Sequence, residues 1–244
     1  MRLIKTTDYE QMTTETLNLL VEAIKQKPDL VLCLTTGASP EGLVKKLCEE
    51  VLKGNVSIKD TTFINLDEFI APTNNNYSVK RFMDECIYAH LSEEQLPKNR
   101  FMLDGEATDF EAEIARFKKI LKDYPRDIQL LGLGINGHLG CNEPGVPFEQ
   151  ELFVGNLSES TIVKTMGQFD LTYEETPKQM FTMGIKDIMD AKTVWLQVSG
   201  THKAQALKDM LENEITVDCP ASILNTHLDA VVIYDEDAGS LLSK

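Results

Sequence analysis

Apolar positions fall into short blocks and helical stripes that alternate along the chain. "RLIK" (residues 2–5) predicts a first strand. From about Asp8 to Gln26, the positions of Leu17, Leu20, Val21 and Ile24 predict an amphipathic helix. Leu30 to Leu34 is a continuous apolar run, as expected of a strand buried on both faces. After Pro40, Leu43, Val44, Leu47 and Val51 predict a helix that stops at Gly54. Thr61 to Phe69 reads as the next strand. The polar stretch "APTNNNY" (71–77) then leads to a helix at about Val79 to His90. The second half repeats the rhythm: a helix at 110–122, strands at 128–134 and 193–200, a helix at Lys203 to Glu212 and a last strand at 228–236. Strands and helices in alternation predict an α/β fold with a mostly parallel central sheet covered on both faces. No Pro/Gly/Ser-rich linker or internal repeat interrupts the pattern, so a single domain over residues 1–244 is expected.

Composition narrows the partners. At 42% apolar residues the chain can bury a sizeable core. A net charge of −15 argues against nucleic acid or an anionic membrane, because both would be repelled at long range. A small anion is not excluded, since screening confines that repulsion to about 8 Å at physiological salt. The five cysteines (33, 48, 86, 141 and 219) are scattered and form no CxxC pair. They read as reduced thiols of a cytoplasmic protein, not a disulfide frame or zinc site. The first residues carry no long apolar run, so neither a signal peptide nor a membrane span is expected.

Candidate chemistry gathers where the strands end, the edge at which parallel α/β sheets bind ligands. The stretch "GLGINGHLGCNEPG" (132–145) has the spacing of a dinucleotide fingerprint, but Asn142, Pro144 and Gly145 interrupt any helix after it. Its glycines instead suit close backbone approach to a ligand, with His138 and Glu143 held at a strand's end. His138 is the natural acid–base group, since only His titrates near neutrality without heavy perturbation; Asn136 is placed to hold its other face. "TTGASP" (35–40) reads as an anion cradle at a helix N-terminus, or as an ordinary turn with Ser39 as N-cap and Pro40 at the first helical position. Lys203, after "SGT", is either a ligand-facing cation or a solvated lysine. Asp67 and Glu68 are a general base, a metal pair or a solvated turn, and no cluster of further ligands supports metal. Cys141 is read as packing, and His227 as a possible pocket residue. The four loops together suit a polar, phosphorylated small molecule.

In order and spacing, "LTTGASPEGL" (34–43), "FINLDEF" (63–69), "LLGLGINGHLGCNEPG" (130–145), "TMGIKDIMDAK" (182–192), "SGTHKAQAL" (199–207) and "PASILNTH" (220–227) resemble the glucosamine-6-phosphate deaminase (isomerase) family, which includes galactosamine-6-phosphate isomerases. The resemblance implies a Rossmann-like α/β/α sandwich, shared with 6-phosphogluconolactonases. It also implies conversion of an amino-sugar 6-phosphate to the ketohexose 6-phosphate plus ammonia, without cofactor or metal. On that pattern His138, oriented by Glu143 and Asn136, opens the sugar ring, and Asp67 moves a proton from C2 to C1. Thr36, Gly37, Ala38, Ser39 and Lys203 hold the phosphate, with Glu68 and Gly137 also at the substrate.

Three departures stand out. Many members have Asp at the position of Asn136. An arginine that binds the substrate phosphate is replaced by Gly167 or Gln168, leaving Lys164 as the one cation of residues 164–170. The basic effector residues of allosteric members are missing from 145–157, so a monomer or small homo-oligomer is expected, not an activated hexamer. The pattern leaves the C4 stereochemistry of the sugar open. A lactonase-like hydrolase and a non-catalytic sugar-phosphate sensor remain alternatives.

Overall fold

The computed structural model describes residues 1–243. In chain order its strands are β1 (Arg2–Thr6), β2 (Val31–Leu34), β3 (Thr62–Asn65), β4 (Asp67–Phe69), β5 (Asn99–Phe101) and β6 (Ile128–Gly132), then β7 (Phe153–Asn156), β8 (Gln179–Thr182), β9 (Thr193–Val198) and β10 (Ala230–Asp235). The helices are α1 (Tyr9–Gln26), α2 (Ala38–Leu52), α3 (Val79–Cys86), α4 (Phe110–Asp123), α5 (Glu159–Phe169), α6 (Ile185–Met189) and α7 (Ala204–Glu212). Seven strands pair in parallel in the order β1-β10-β9-β6-β2-β3-β5, and β4-β8-β7 form a second, antiparallel sheet.

Alternation along each strand divides the core between the two faces of the main sheet. In β2, Leu32 and Leu34 pack with α1 and α2 residues such as Leu20, Leu43 and Leu47, while Cys33 faces the opposite cluster with Phe117, Ile188 and Leu207. Period-two burial on both faces is what an all-parallel central strand requires. The expected α/β/α sandwich is therefore present.

The run read as one strand from Thr61 to Phe69 is two strands. The Leu66 amide still donates to Leu34 of the main sheet, at 2.9 Å, but its carbonyl accepts from Met183 at 3.0 Å. From Asp67 onward the chain pairs antiparallel with β8. Leu66 thus passes the chain from one sheet to the other. Further short elements (β5, β7, β8, α5 and α6) lie in stretches where the apolar pattern predicted none. Five-residue α6 is too short to show a helical period. In α5 the β-branched Thr161, Ile162, Val163 and Thr165, followed by Gly167, blur one.

Chain order reverses between β2 and β6: β3 and β5 lie to one side, β9, β10 and β1 to the other. The crevice at such a switch point is where an open parallel sheet takes its ligand. The loops that leave it are residues 35–37 after β2 and the stretch after Gly132. No described helix is long and apolar enough to cross a membrane.

Candidate active site

At the switch point lies a cleft with an inner chamber of about 140 Å³ that opens into an outer one of about 580 Å³, within the roughly 300–1,000 Å³ typical of small-molecule sites. Thr36, Gly37, Ala38, Ser39, Asp67, His138 and Lys203 all line the inner chamber, with Thr161 and Lys164 of α5 closing it. Tyr77, Phe82, Phe169 and Gln168 line the outer one.

The inner end is built around the start of α2. Gly37, not Ser39, is the N-cap, with φ at +112°, a conformation that costs glycine little and other residues much. No side chain caps this helix, whereas Asp8, Ser78, Asp109 and Ser158 cap α1, α3, α4 and α5. Its first-turn amides and positive dipole end are therefore open to an anion. Lys203 donates to the Ser39 hydroxyl at 2.9 Å. Burial pushes the Lys203 ammonium down to about 8, with the charge of Lys164 adding to the effect and Asp235 opposing it.

His138 and Glu143 meet as expected, but Asn136 does a different job. The glycines make room for the imidazole: a Cβ on Gly134 would lie 2.3 Å from the His138 ring. His138 Nδ1 lies 3.5 Å from Glu143 Oε2 and has no other polar partner among the described residues. Asn136 does not touch the ring. Its amide donates to Glu143 Oε2 at 2.8 Å, and its carbonyl oxygen accepts from the His138 backbone amide at 3.3 Å. Thr161 donates to the other Glu143 oxygen at 3.1 Å. Burial opposes the charge on Glu143, but the neighbouring imidazole and the donated hydrogen bonds outweigh it and hold the carboxyl at about 2. Behind the loop, Asn142 donates to the carbonyls of Leu139 and Met183 at 2.7 and 2.9 Å, fixing it to the end of β8.

Asp67 opens β4 and is 7% exposed. Among the described residues nothing donates a hydrogen bond to its carboxylate. Burial, with the charge of Glu68 beside it, raises it to about 7. Glu68 turns the other way. It accepts from the amides of Phe69, Val79 and Lys80 at 2.8 to 2.9 Å and from the Ser78 hydroxyl at 3.2 Å, and so caps α3. The expectation that Glu68 meets substrate is thereby corrected: its oxygens are already taken. Gly137 is likewise off the lining. Its carbonyl accepts from Ala221, and a Cβ there would lie 2.6 Å from Cys219 Sγ.

Other sequence readings resolve locally. His227 is held between the Ala191 carbonyl and the Asp229 amide, away from the cleft. Cys141 is buried and its thiol pushed up to about 12 by that burial, so it packs as expected. Among the described residues, no three His, Cys, Asp or Glu side chains gather as metal ligands. Lys164, singled out in the sequence as the one cation of residues 164–170, lines the cleft, whereas Thr161 was missed as a site residue. The available signal was the N-cap pattern "SEST" at 158–161, which marks a helix start directed at the cleft.

A family model described as glucosamine-6-phosphate isomerases/6-phosphogluconolactonase matches residues 6–233. The glucosamine-6-phosphate deaminase of Bacillus velezensis is 37% identical over 241 residues, 98% of each chain. A solved monomeric glucosamine-6-phosphate deaminase aligns with a TM-score of 0.93 at 35% identity, over 99% of this chain and 100% of that one. The 6-phosphogluconolactonase from Trypanosoma brucei aligns with a TM-score of 0.80 at 18% identity, over 99% and 98% of the two chains, a likeness of fold.

Proposed function

The chain belongs to the family of glucosamine-6-phosphate isomerases and 6-phosphogluconolactonases, and from that premise we propose that it is an amino-sugar 6-phosphate deaminase acting first on glucosamine 6-phosphate. The reading takes residues 1–244 as one cytoplasmic domain, and the solved monomeric deaminase it matches favours a monomer.

The observation that carries the reading is Asp67. A carboxylate buried at the mouth of the switch-point crevice, raised to about 7 and free of donors among the described residues, is suited to take and return a proton near neutrality. Moving a proton between adjacent carbons needs one such base. Lactone hydrolysis needs an activated water instead.

In the proposed sequence the phosphate sits against the α2 N-terminus and Lys203. His138 takes the proton from the O1 hydroxyl and delivers it to the ring oxygen as that C–O bond breaks, giving the open-chain aldehyde. Glu143 stays ionised and steadies the imidazolium that forms between the two transfers. Asp67 then removes the C2 proton while a proton passes from the C2 ammonium to O1, giving an enolamine, and returns a proton to C1. The resulting C2 imine adds water and expels ammonia, leaving the ketohexose 6-phosphate. Positioned acid–base groups of this kind contribute about 10²–10⁴-fold each.

The test is ammonia release from glucosamine 6-phosphate and galactosamine 6-phosphate, with 6-phosphogluconolactone as a third substrate. Ammonia is expected from glucosamine 6-phosphate, with solvent deuterium entering C1 of the product. Lactone hydrolysis without ammonia from either amino sugar would sink the reading.

A further inference from the structure

We propose that Lys164 is a second phosphate-binding cation, so that Lys164 on α5 and Lys203 before α7 clamp the substrate phosphate from two sides against the N-terminus of α2. The inference rests on the sugar-phosphate reading above and adds to it a residue on a different element.

Three observations carry it. First, Lys164 and Lys203 line the same inner chamber, and neither is in an ion pair among the described residues. Elsewhere in this acidic chain Lys27, Lys118, Lys186 and Lys192 are paired with carboxylates. Lys45 lines the outer chamber as well, but Glu41 engages it at 2.5 Å.

Second, the two ammonium groups are close enough to repel. The charge of Lys164 helps pull down both the buried Lys203 and its neighbour His202. Asp235 offsets the charge of Lys203 only in part, so the two like charges directed into one chamber are best held together when an anion lies between them. A phosphate monoester carries close to two negative charges at pH 7, which the pair matches, and the helix end adds about half a charge more.

Third, the two cations differ in exposure. Lys203 is 6% exposed and fixed on Ser39, whereas Lys164 stands exposed at the junction of the two chambers. Lys203 is therefore the seat of the phosphate and Lys164 the arm that reaches it from the mouth. One helical turn beyond Lys164, Gly167 has nothing within 4 Å of where its Cβ would be, so the same helix can carry a second basic side chain without a clash at its root.

The experiment combines two readouts, because one of them does not depend on turnover. Binding of inorganic phosphate is measured by isothermal titration for the wild type, Lys164→Ala, Lys164→Arg and the double variant Lys164→Ala/Gly167→Arg. KM for glucosamine 6-phosphate is measured on the same set. Lys164→Ala is expected to weaken phosphate binding and raise KM by roughly tenfold or more, with the loss falling on KM more than on kcat. Lys164→Arg should retain most of the affinity, and Gly167→Arg should restore part of what Lys164→Ala loses. Unchanged phosphate affinity in Lys164→Ala overturns the clamp. Lys164-dependent phosphate binding without ammonia release from either amino sugar supports the clamp and removes the functional reading, so the two fail separately.

Discussion

Asp67 at the start of β4 and Glu143 in the loop after β6 serve the same cleft under opposite electrostatic conditions. Asp67 is buried without a donor and is raised to about 7. Glu143 is also desolvated, yet the imidazole of His138 and the hydrogen bond from Asn136 hold it at about 2, and Thr161 donates to its other oxygen. Burial acts in the same direction on both, so the difference comes from the neighbours: the charge of Glu68 adds to burial at Asp67, while the imidazole and the donated hydrogen bonds outweigh it at Glu143. Two carboxyl groups driven apart in this way divide the acid–base work between them. On the proposed reading Glu143 stays charged beside His138, and Asp67 is the group that exchanges a proton near neutrality. Their neighbour Glu68 shows a third outcome, in which four donors convert a buried carboxylate into a helix cap.

The largest effect that separates the pair should come from Asp67→Asn. Loss of the base is expected to lower kcat by about 10⁴-fold and to abolish deuterium transfer into C1. Stability should change in the other direction. Because Asp67 holds its proton more tightly in the fold than in the unfolded chain, its contribution to stability is full below about pH 4 and is lost as pH rises through about 7. Asp67→Asn should therefore melt higher than wild type at pH 8, by a difference on the order of a few kcal/mol in stability that vanishes near pH 4. A variant that melts lower at both pH values would mean that the carboxylate is a structural partner.

The pH dependence of kcat/KM comes next. It should rise tenfold per pH unit on the acid side as Asp67 loses its proton, with a limb near 7. On the basic side it should fall through about 8 as Lys203 loses the charge that holds the phosphate. Asp67→Asn should remove the acid limb. A profile with its acid limb near 4 would contradict the contrast between Asp67 and Glu143.

The smallest expected effect concerns the hydrogen bonds that keep Glu143 charged. Thr161→Val removes one of the hydrogen bonds to Glu143 and should lower kcat only about threefold to tenfold, a loss near 1 kcal/mol, while Glu143→Gln should cost several times more. Equal losses would mean that Thr161 acts on the substrate directly.

Much of the site was legible because strand ends carry their chemistry in contiguous letters. Asp67, His138, Glu143 and Lys203 each follow an apolar run, and the parallel sheet places them at the same edge. The readings that failed depend on contacts between distant segments. Nothing near Glu68 in the chain indicates that the amides of Val79 and Lys80 will meet its carboxylate. Asn136 is two residues from His138, yet its amide is directed to the same Glu143 oxygen that the imidazole approaches, a contact between residues seven apart in the chain. The capping reading of "TTGASP" put the helix start two residues late, since a glycine N-cap has no side chain to declare it. The second sheet was invisible because β4, β7 and β8 have three or four residues each, too few for alternation to register.

The passage of the chain through Leu66 has a consequence for solvent exchange. The amide of Leu66 is bonded into the main sheet and that of Met183 into the second, and both bonds run through the same residue. Opening one sheet leaves Leu66 anchored in the other. The Leu66 proton should therefore trade for deuterium slowly, on the scale of the central strands of the main sheet. The carboxylate next to Leu66 is then mounted on a firmly held stretch of backbone, and on the proposed reading the adjustment needed to reach C2 and then C1 falls to the sugar.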